Sequence, residues 1–246
     1  MKNVVLIRHG ESLAQTARER GQSRKDPSLT DCYLSRKGIR DAQRLRSNEI
    51  MSQYQFDLVC TSPLSRALST CALGLGHIIE EELVLQQQEQ EDELESNAQS
   101  INPCVPSTTP TPRRRTPFIV RADICEMGKG VPENHGRPVN KVLKDLKKKL
   151  SLASSYPNCI EEFDFSMVPA SWPKTDEFSK NTSKDPRNFL SWLNSRPEEN
   201  VAVVCHYHVI KCLLKDSIGH VRNCMPIECI LTDEGELLLE SAIQTG

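Results

Sequence analysis

Three short aliphatic runs constrain this chain most: "VVLI" at Val4–Ile7, "FDLVC" at Phe56–Cys60 and "VAVVC" at Val201–Cys205. A short apolar run bounded by polar residues reads as a strand covered on both faces, as strands are inside a parallel sheet. Each run is followed by residues that carry chemistry: Arg8-His9-Gly10 after the first, Arg66 in the turn after the second, and His206 after the third. Parallel strands deliver their carboxyl ends to one edge of the sheet, which is where ligands bind in open α/β folds. Arg8, His9, Arg66 and His206 are therefore expected to converge although they are far apart in sequence. Two guanidiniums and an imidazole around a second imidazole suit a tetrahedral dianion, so the edge reads as a phosphate pocket.

Helical patterns fill the spaces between the runs. "LSRKGIRDAQRLRSNEIM" predicts one helix with Ser35 as N-cap and Ile39, Ala42, Leu45 and Ile50 at helical spacing. "TSPLSRALSTCALGLGHII", "VNKVLKDLKKKL", "DPRNFLSWLNSRP" and "HVIKCLLKDSI" predict further helices, the first with Pro63 in its opening turn. "PFIVRADICEM" predicts another strand, and "ECILT" with "ELLLE" around Asp233-Glu234-Gly235 a closing hairpin. The stretch 13–31 reads as a polar, basic loop and 151–172 as irregular. Strand and helix alternate throughout, which predicts an α/β fold: a three-layer α/β/α sandwich with a mostly parallel central sheet and helices on both faces.

A single domain spanning all 246 residues is expected, interrupted by one excursion. From Glu80 to about Arg115 the chain turns acidic and Gln-rich, then Pro/Thr-rich, then basic. Too little of it is apolar to offset the ordering entropy of a packed core, so it reads as a flexible insertion.

A formal net charge of -2 gives no basic field for nucleic acid or an anionic membrane surface. No run approaches the length needed to span a bilayer. The ten cysteines sit in apolar contexts without paired spacing, which suggests buried, reduced thiols in a cytosolic or nuclear protein. The first strand begins so early that no targeting peptide is expected before it. "CHYH" at Cys205–His208 contains zinc-type ligands, but the usual paired spacings are missing, and Cys205 is expected to pack rather than act as a nucleophile.

The ordered set "LIRHGES", "DCYLSRKG", "TSPLSRALST" and "VAVVCHYHVI" resembles the successive signatures of the histidine phosphatase superfamily, also called the phosphoglycerate mutase-like family. The resemblance covers nearly the whole chain apart from the insertion and 151–172. It implies the phosphoglycerate mutase-like fold and a phosphomonoesterase acting on a phosphorylated small molecule or phosphoprotein. By the same resemblance His9 is the nucleophile, and Arg8, Arg66 and His206 bind the phosphoryl oxygens. The product of the first step is a phosphohistidine that water then hydrolyses, with neither metal nor cofactor. The family supplies its general acid from the segment after the insertion, where Glu126 matches best and Glu133 is the alternative.

The chain also departs from the pattern. A small residue commonly precedes the second His and two Gly follow it; here they are Cys205, Tyr207 and His208. A frequent Asn in the first loop is Gln15, whose amide is still able to donate to phosphate. His208 is expected to line or pack, and Glu133 and His135 to shape the rim. Arg18, Arg20, Arg24, Lys25, Lys129 and Arg137 read equally as solvated charge or as a cationic surround that favors anionic substrates. Two alternatives stand beside the phosphatase: a phosphoglycerate-type mutase, which a polar insertion suits poorly as a lid, and a silent phospho-ligand-binding protein.

Overall fold

The three aliphatic runs form the three central strands of one sheet. The computed structural model describes residues 1–99, 115–128, 130–153, 158–173 and 185–240. The strands are β1 (Lys2–Arg8), β2 (Leu58–Thr61), β3 (Phe118–Val120), β4 (Phe163–Asp164), β5 (Asn200–Cys205), β6 (Pro226–Leu231) and β7 (Leu237–Leu239), in the order β4-β3-β2-β5-β1-β6-β7. The first five pair in parallel, and β6 and β7 add an antiparallel edge. The expected hairpin joins β6 to β7, with Gly235 at φ 82°.

Seven α-helices accompany the sheet among the described residues: α1 (Leu13–Glu19), α2 (Arg36–Gln43), α3 (Glu49–Ser52), α4 (Ser65–Gln99), α5 (Val139–Leu150), α6 (Pro186–Asn194) and α7 (Tyr207–Leu213). Alternate strand residues enter two separate cores. Val5, Ile7, Val59, Ala202 and Val204 pack with Leu68, Ala72 and Leu75 of α4 and Val142 and Leu146 of α5. Val4, Leu6, Leu58, Val201 and Val203 pack with Phe189, Leu190 and Leu193 of α6 and Val209, Ile210 and Leu213 of α7. Burying a side chain of this size contributes about 1.5–3 kcal/mol, so two filled faces hold the three-layer α/β/α sandwich together.

Local structure departs from the sequence expectations in four places. The stretch 13–31 is not all loop. Its first part is α1, closed by a capping box in which Ser12 accepts from the Gln15 N–H and Gln15 Oε1 accepts from the Ser12 N–H. The single helix expected after Ser35 is broken. α2 begins at that cap, gives way to a 3₁₀ turn over Arg44–Ser47, and restarts as α3 because Asn48 Oδ1 caps the N–H groups of Ile50 and Met51. The irregular stretch 151–172 contains β4, whose two residues are too few to show a periodicity.

The fourth departure concerns the excursion from Glu80. α4 continues through it to Gln99. Packing of Leu68, Ala72, Leu75 and Ile79 secures the start of the helix. The Glu-, Gln- and Leu-rich continuation has high helix propensity and extends it at low entropic cost. Scarcity of apolar residues measures packing, not propensity, which is why composition pointed elsewhere. The rest of the excursion up to Arg114, with Thr109-Pro110, Thr111-Pro112 and two of the three consecutive arginines, lies outside the described residues.

Among the described residues no helix is long and apolar enough to cross a membrane. The described cysteines are buried or half-buried. Burial pushes the Cys205 thiol well above its ordinary range, as expected of a packing residue.

Candidate active site

Strand register builds the center of the site. β1 and β5 pair with Arg8 opposite Cys205, so the next residues, His9 and His206, leave the sheet side by side. The His9 N–H donates to the Cys205 carbonyl at 3.0 Å. Their ring centers lie 5.0 Å apart, and both imidazoles are buried. β2 is paired with Thr61 opposite Val204, which brings Ser62 beside His206, with Oγ 2.8 Å from Nε2.

The His9 ring is oriented by its own loop. Nδ1 lies 2.7 Å from the Gly10 carbonyl oxygen, which can only accept, so Nδ1 carries the hydrogen and Nε2 keeps its lone pair. Burial first, then the Arg66 guanidinium, hold His9 well below the ordinary imidazole range, so the ring is neutral at neutral pH. The loop is fixed by two further contacts: the Gly10 N–H donates to Thr70 Oγ1 at 2.9 Å, and Asn223 Nδ2 donates to the His9 carbonyl at 2.6 Å.

Arg66 lies in the first turn of α4. That turn is capped from a distance: Asp31 accepts from the Ser65 N–H and from Ser65 Oγ, placing a carboxylate at the positive end of the helix. The Arg66 side chain is almost completely buried. Nη1 donates to the Glu133 carbonyl, Nη2 donates to Asn134 Oδ1 at 3.0 Å, and Nε donates to His9 Nε2 at 3.1 Å. Arg8 enters from the other side. Its Nη1 donates to the Val221 carbonyl at 2.7 Å, its guanidinium lies 5.2 Å from the center of the Tyr207 ring, and its buried Nε has no hydrogen-bond partner among the described residues.

The two carboxylates proposed from sequence differ in their surroundings. Glu133 is ion-paired by Arg18 and lies 3.7 Å from Arg24 Nη2. Glu126 makes no ion pair with an arginine among the described residues; its Oε1 accepts from the Met127 N–H at 2.9 Å and lies 3.1 Å from His208 Nδ1. His208, expected only to line or pack, is thus bonded to the leading candidate acid. Gln15 is partly occupied: Oε1 serves the capping box, and Nε2 donates to Asn223 Oδ1 at 3.1 Å.

Arg8, His9, Gln15, Arg66, Glu126 and Glu133 line one cavity of about 620 Å³, together with Arg18, Arg24, Asn134, Tyr207, His208 and His220. His135 does not line it, and Arg137 instead bonds Asp31, Asp145 and Tyr33; Lys129 falls outside the described residues. Asn134 and Asn223 were missed from sequence, since an isolated Asn carries no signal beyond a turn preference. A second crevice of about 680 Å³ opens around residues that precede β2 and β5, including Asp57 and Glu199. Its arginines are matched by carboxylates, Arg46 to Glu81 at 3.2 Å and Arg115 to Glu162 at 3.4 Å, so the smaller cavity is the better anion site. Among the described residues no group of three or more His, Cys, Asp or Glu is placed to hold a metal ion.

Residues 4–94 match the family model of the histidine phosphatase superfamily (branch 1). A search of curated proteins gives no match. Among solved structures, the chain is similar to YhfR from Bacillus stearothermophilus, with 16% identity and a TM-score of 0.51 over 98% of this chain and 96% of that one. It is also similar to phosphoserine phosphatase from Entamoeba histolytica, with 18% identity and a TM-score of 0.45 over 98% and 95% of the two chains. The α-ribazole phosphatase from Shigella flexneri gives 19% identity and a TM-score of 0.45 over 97% and 94%. At these identities the likeness to YhfR is one of fold.

Proposed function

We propose that this chain, whose residues 4–94 match the family model of the histidine phosphatase superfamily, acts as that family does and hydrolyses phosphate monoesters through a phosphohistidine on His9. One observation carries the reading: the neutral His9 ring keeps Nε2 free of its own hydrogen and meets Arg66 in the cavity that Arg8 and Glu126 also line, with His206 buried directly behind at 5.0 Å between ring centers.

The Nε2 lone pair attacks phosphorus while Arg66 Nε–H turns from Nε2 to a phosphoryl oxygen. Arg8, Arg66 and His206 bind the three equatorial oxygens and stabilise the charge that spreads over them as the bond to the ester oxygen breaks. Glu133 and Asn134 hold the rest of the guanidinium, so the movement of Arg66 in the step is confined to this shift. Glu126 protonates the departing oxygen, then as a carboxylate takes a proton from the water that cleaves the phosphohistidine. Glu133 serves the cations instead, because its carboxylate is paired with Arg18 and Arg24. Gln15 donates its second amide hydrogen toward the phosphate. The substrate is a phosphorylated small molecule or phosphoprotein. Tyr207 and His208 contact Arg8 and Glu126 without displacing either from the cavity, which favors turnover over silent binding.

With p-nitrophenyl phosphate as substrate, His9→Ala abolishes turnover, a chelator leaves it unchanged, and an acid-labile, base-stable phosphoryl group is trapped on His9. Full activity in His9→Ala ends this reading.

A further inference from the structure

The carboxyl group of Glu126 is held unevenly. Both of its hydrogen-bond contacts among the described residues converge on Oε1: the Met127 N–H at 2.9 Å and His208 Nδ1 at 3.1 Å. Oε2 receives none. The asymmetry bears on where a proton can sit. In a neutral carboxylic acid one oxygen is a double-bonded acceptor and the other carries the hydrogen. An oxygen that already accepts two N–H groups is held as the acceptor, which directs the proton to its twin.

We infer that His208 is a positioning residue for Glu126, donating from Nδ1 to Oε1 so that the acidic hydrogen rides on Oε2, the oxygen left for the substrate. This rests on the phosphatase reading above. The step balances: the His9 Nε2 lone pair forms the N–P bond, and the P–O ester bond breaks. Its electron pair stays on the leaving oxygen, which takes the hydrogen from Oε2 and leaves a glutamate carboxylate.

The place of His208 in the fold explains why it reaches the acid. It lies in the first turn of α7, two residues after His206. Its side chain is 57% exposed, so packing does not force the contact with Glu126. The preceding Tyr207 stands edge-on to His208, with ring centers 5.2 Å apart, and its own ring lies against the Arg8 guanidinium. Two large side chains at the end of the third aliphatic run therefore reach two different parts of the site, one a phosphate-side guanidinium and the other the acid.

A positioning role for an acid is read out by the leaving group. p-Nitrophenolate departs without a proton, whereas the alkoxide of β-glycerophosphate needs one. His208→Ala is expected to lower kcat for β-glycerophosphate about tenfold, part of what general acid catalysis supplies, and to change kcat for p-nitrophenyl phosphate less than about twofold. His208→Asn, whose amide N–H can also donate to Oε1, regains most of the loss. An equal loss on both substrates, or no loss on either, in folded variants whose turnover still depends on His9 would overturn the inference. Failure of the underlying reading looks different: His9→Ala would then keep the wild-type rate on both substrates.

Discussion

Gly10 and Gly38 meet backbone to backbone. A Cβ on Gly10 would come within 2.7 Å of the Gly38 carbonyl oxygen, and one on Gly38 within 2.1 Å of the Glu11 carbonyl oxygen. The loop that carries His9 thus rests on the first turn of α2, and Ser35, the cap of that turn, hydrogen-bonds Glu11. Neither contact partner is a flexible side chain, so the collision cannot be relieved locally. Gly38→Ala is expected to cost about 3 kcal/mol and to lower kcat with it, measured by denaturant unfolding beside steady-state kinetics. A variant that unfolds at the wild-type midpoint would show that the loop can move away.

Arg66→Lys keeps a positive charge but has no planar fork to meet His9, Asn134 and Glu133 together. A loss of about 10²–10³ in kcat is expected, the usual effect of removing one donor to developing charge. Stability falls as well, because the buried Asn134 and Glu133 oxygens lose a charged donor. Wild-type kcat in a folded Arg66→Lys protein would remove Arg66 from the mechanism.

His9 sets a pH dependence whose sign follows from its burial. The folded site holds its pKa well below the ordinary value of 6.5, so the unfolded chain binds a proton that the native site refuses. The contribution of His9 to stability is therefore complete above pH 6.5 and is lost as pH falls from there toward the depressed folded value, at about 1.4 kcal/mol per pH unit. Ring ¹⁵N NMR should show the neutral Nδ1–H form persisting through the range in which an exposed histidine titrates. A midpoint near the ordinary value would contradict the assignment.

The two carboxylates should separate kinetically. Glu126→Gln removes the acid and lowers kcat for β-glycerophosphate by about 10² or more. Glu133→Gln breaks the pairing with Arg18 and Arg24 but keeps the carbonyl that holds Arg66, so its effect falls mainly on KM. The reverse pattern would make Glu133 the acid.

Much of this architecture is visible in local sequence. Aliphatic runs of strand length mark β1, β2 and β5. Ser35 marks the start of α2, "VNKVLKDLKKKL" coincides with α5, and Asp233-Glu234-Gly235 marks the final hairpin. These features are encoded by neighbors in the chain, through periodicity, capping and turn chemistry. The capping box of α1 was equally local, with Ser12 and Gln15 at the right spacing, and was hidden by the polar residues around it. Short or broken elements such as β4 and α3 leave too few residues to form a pattern.

The sequence by itself determined that Arg8, His9, Arg66 and His206 belong to one edge of a parallel sheet, because strand direction alone fixes that edge. Only the tertiary structure decided which groups touch. The β1–β5 register puts His9 beside His206, Asp31 caps α4 from a distant loop, and Glu133 is taken by Arg18 while Glu126 is left to His208. Those pairings join residues far apart along the chain, and their partners are chosen by sheet register and loop packing, to which no local periodicity refers.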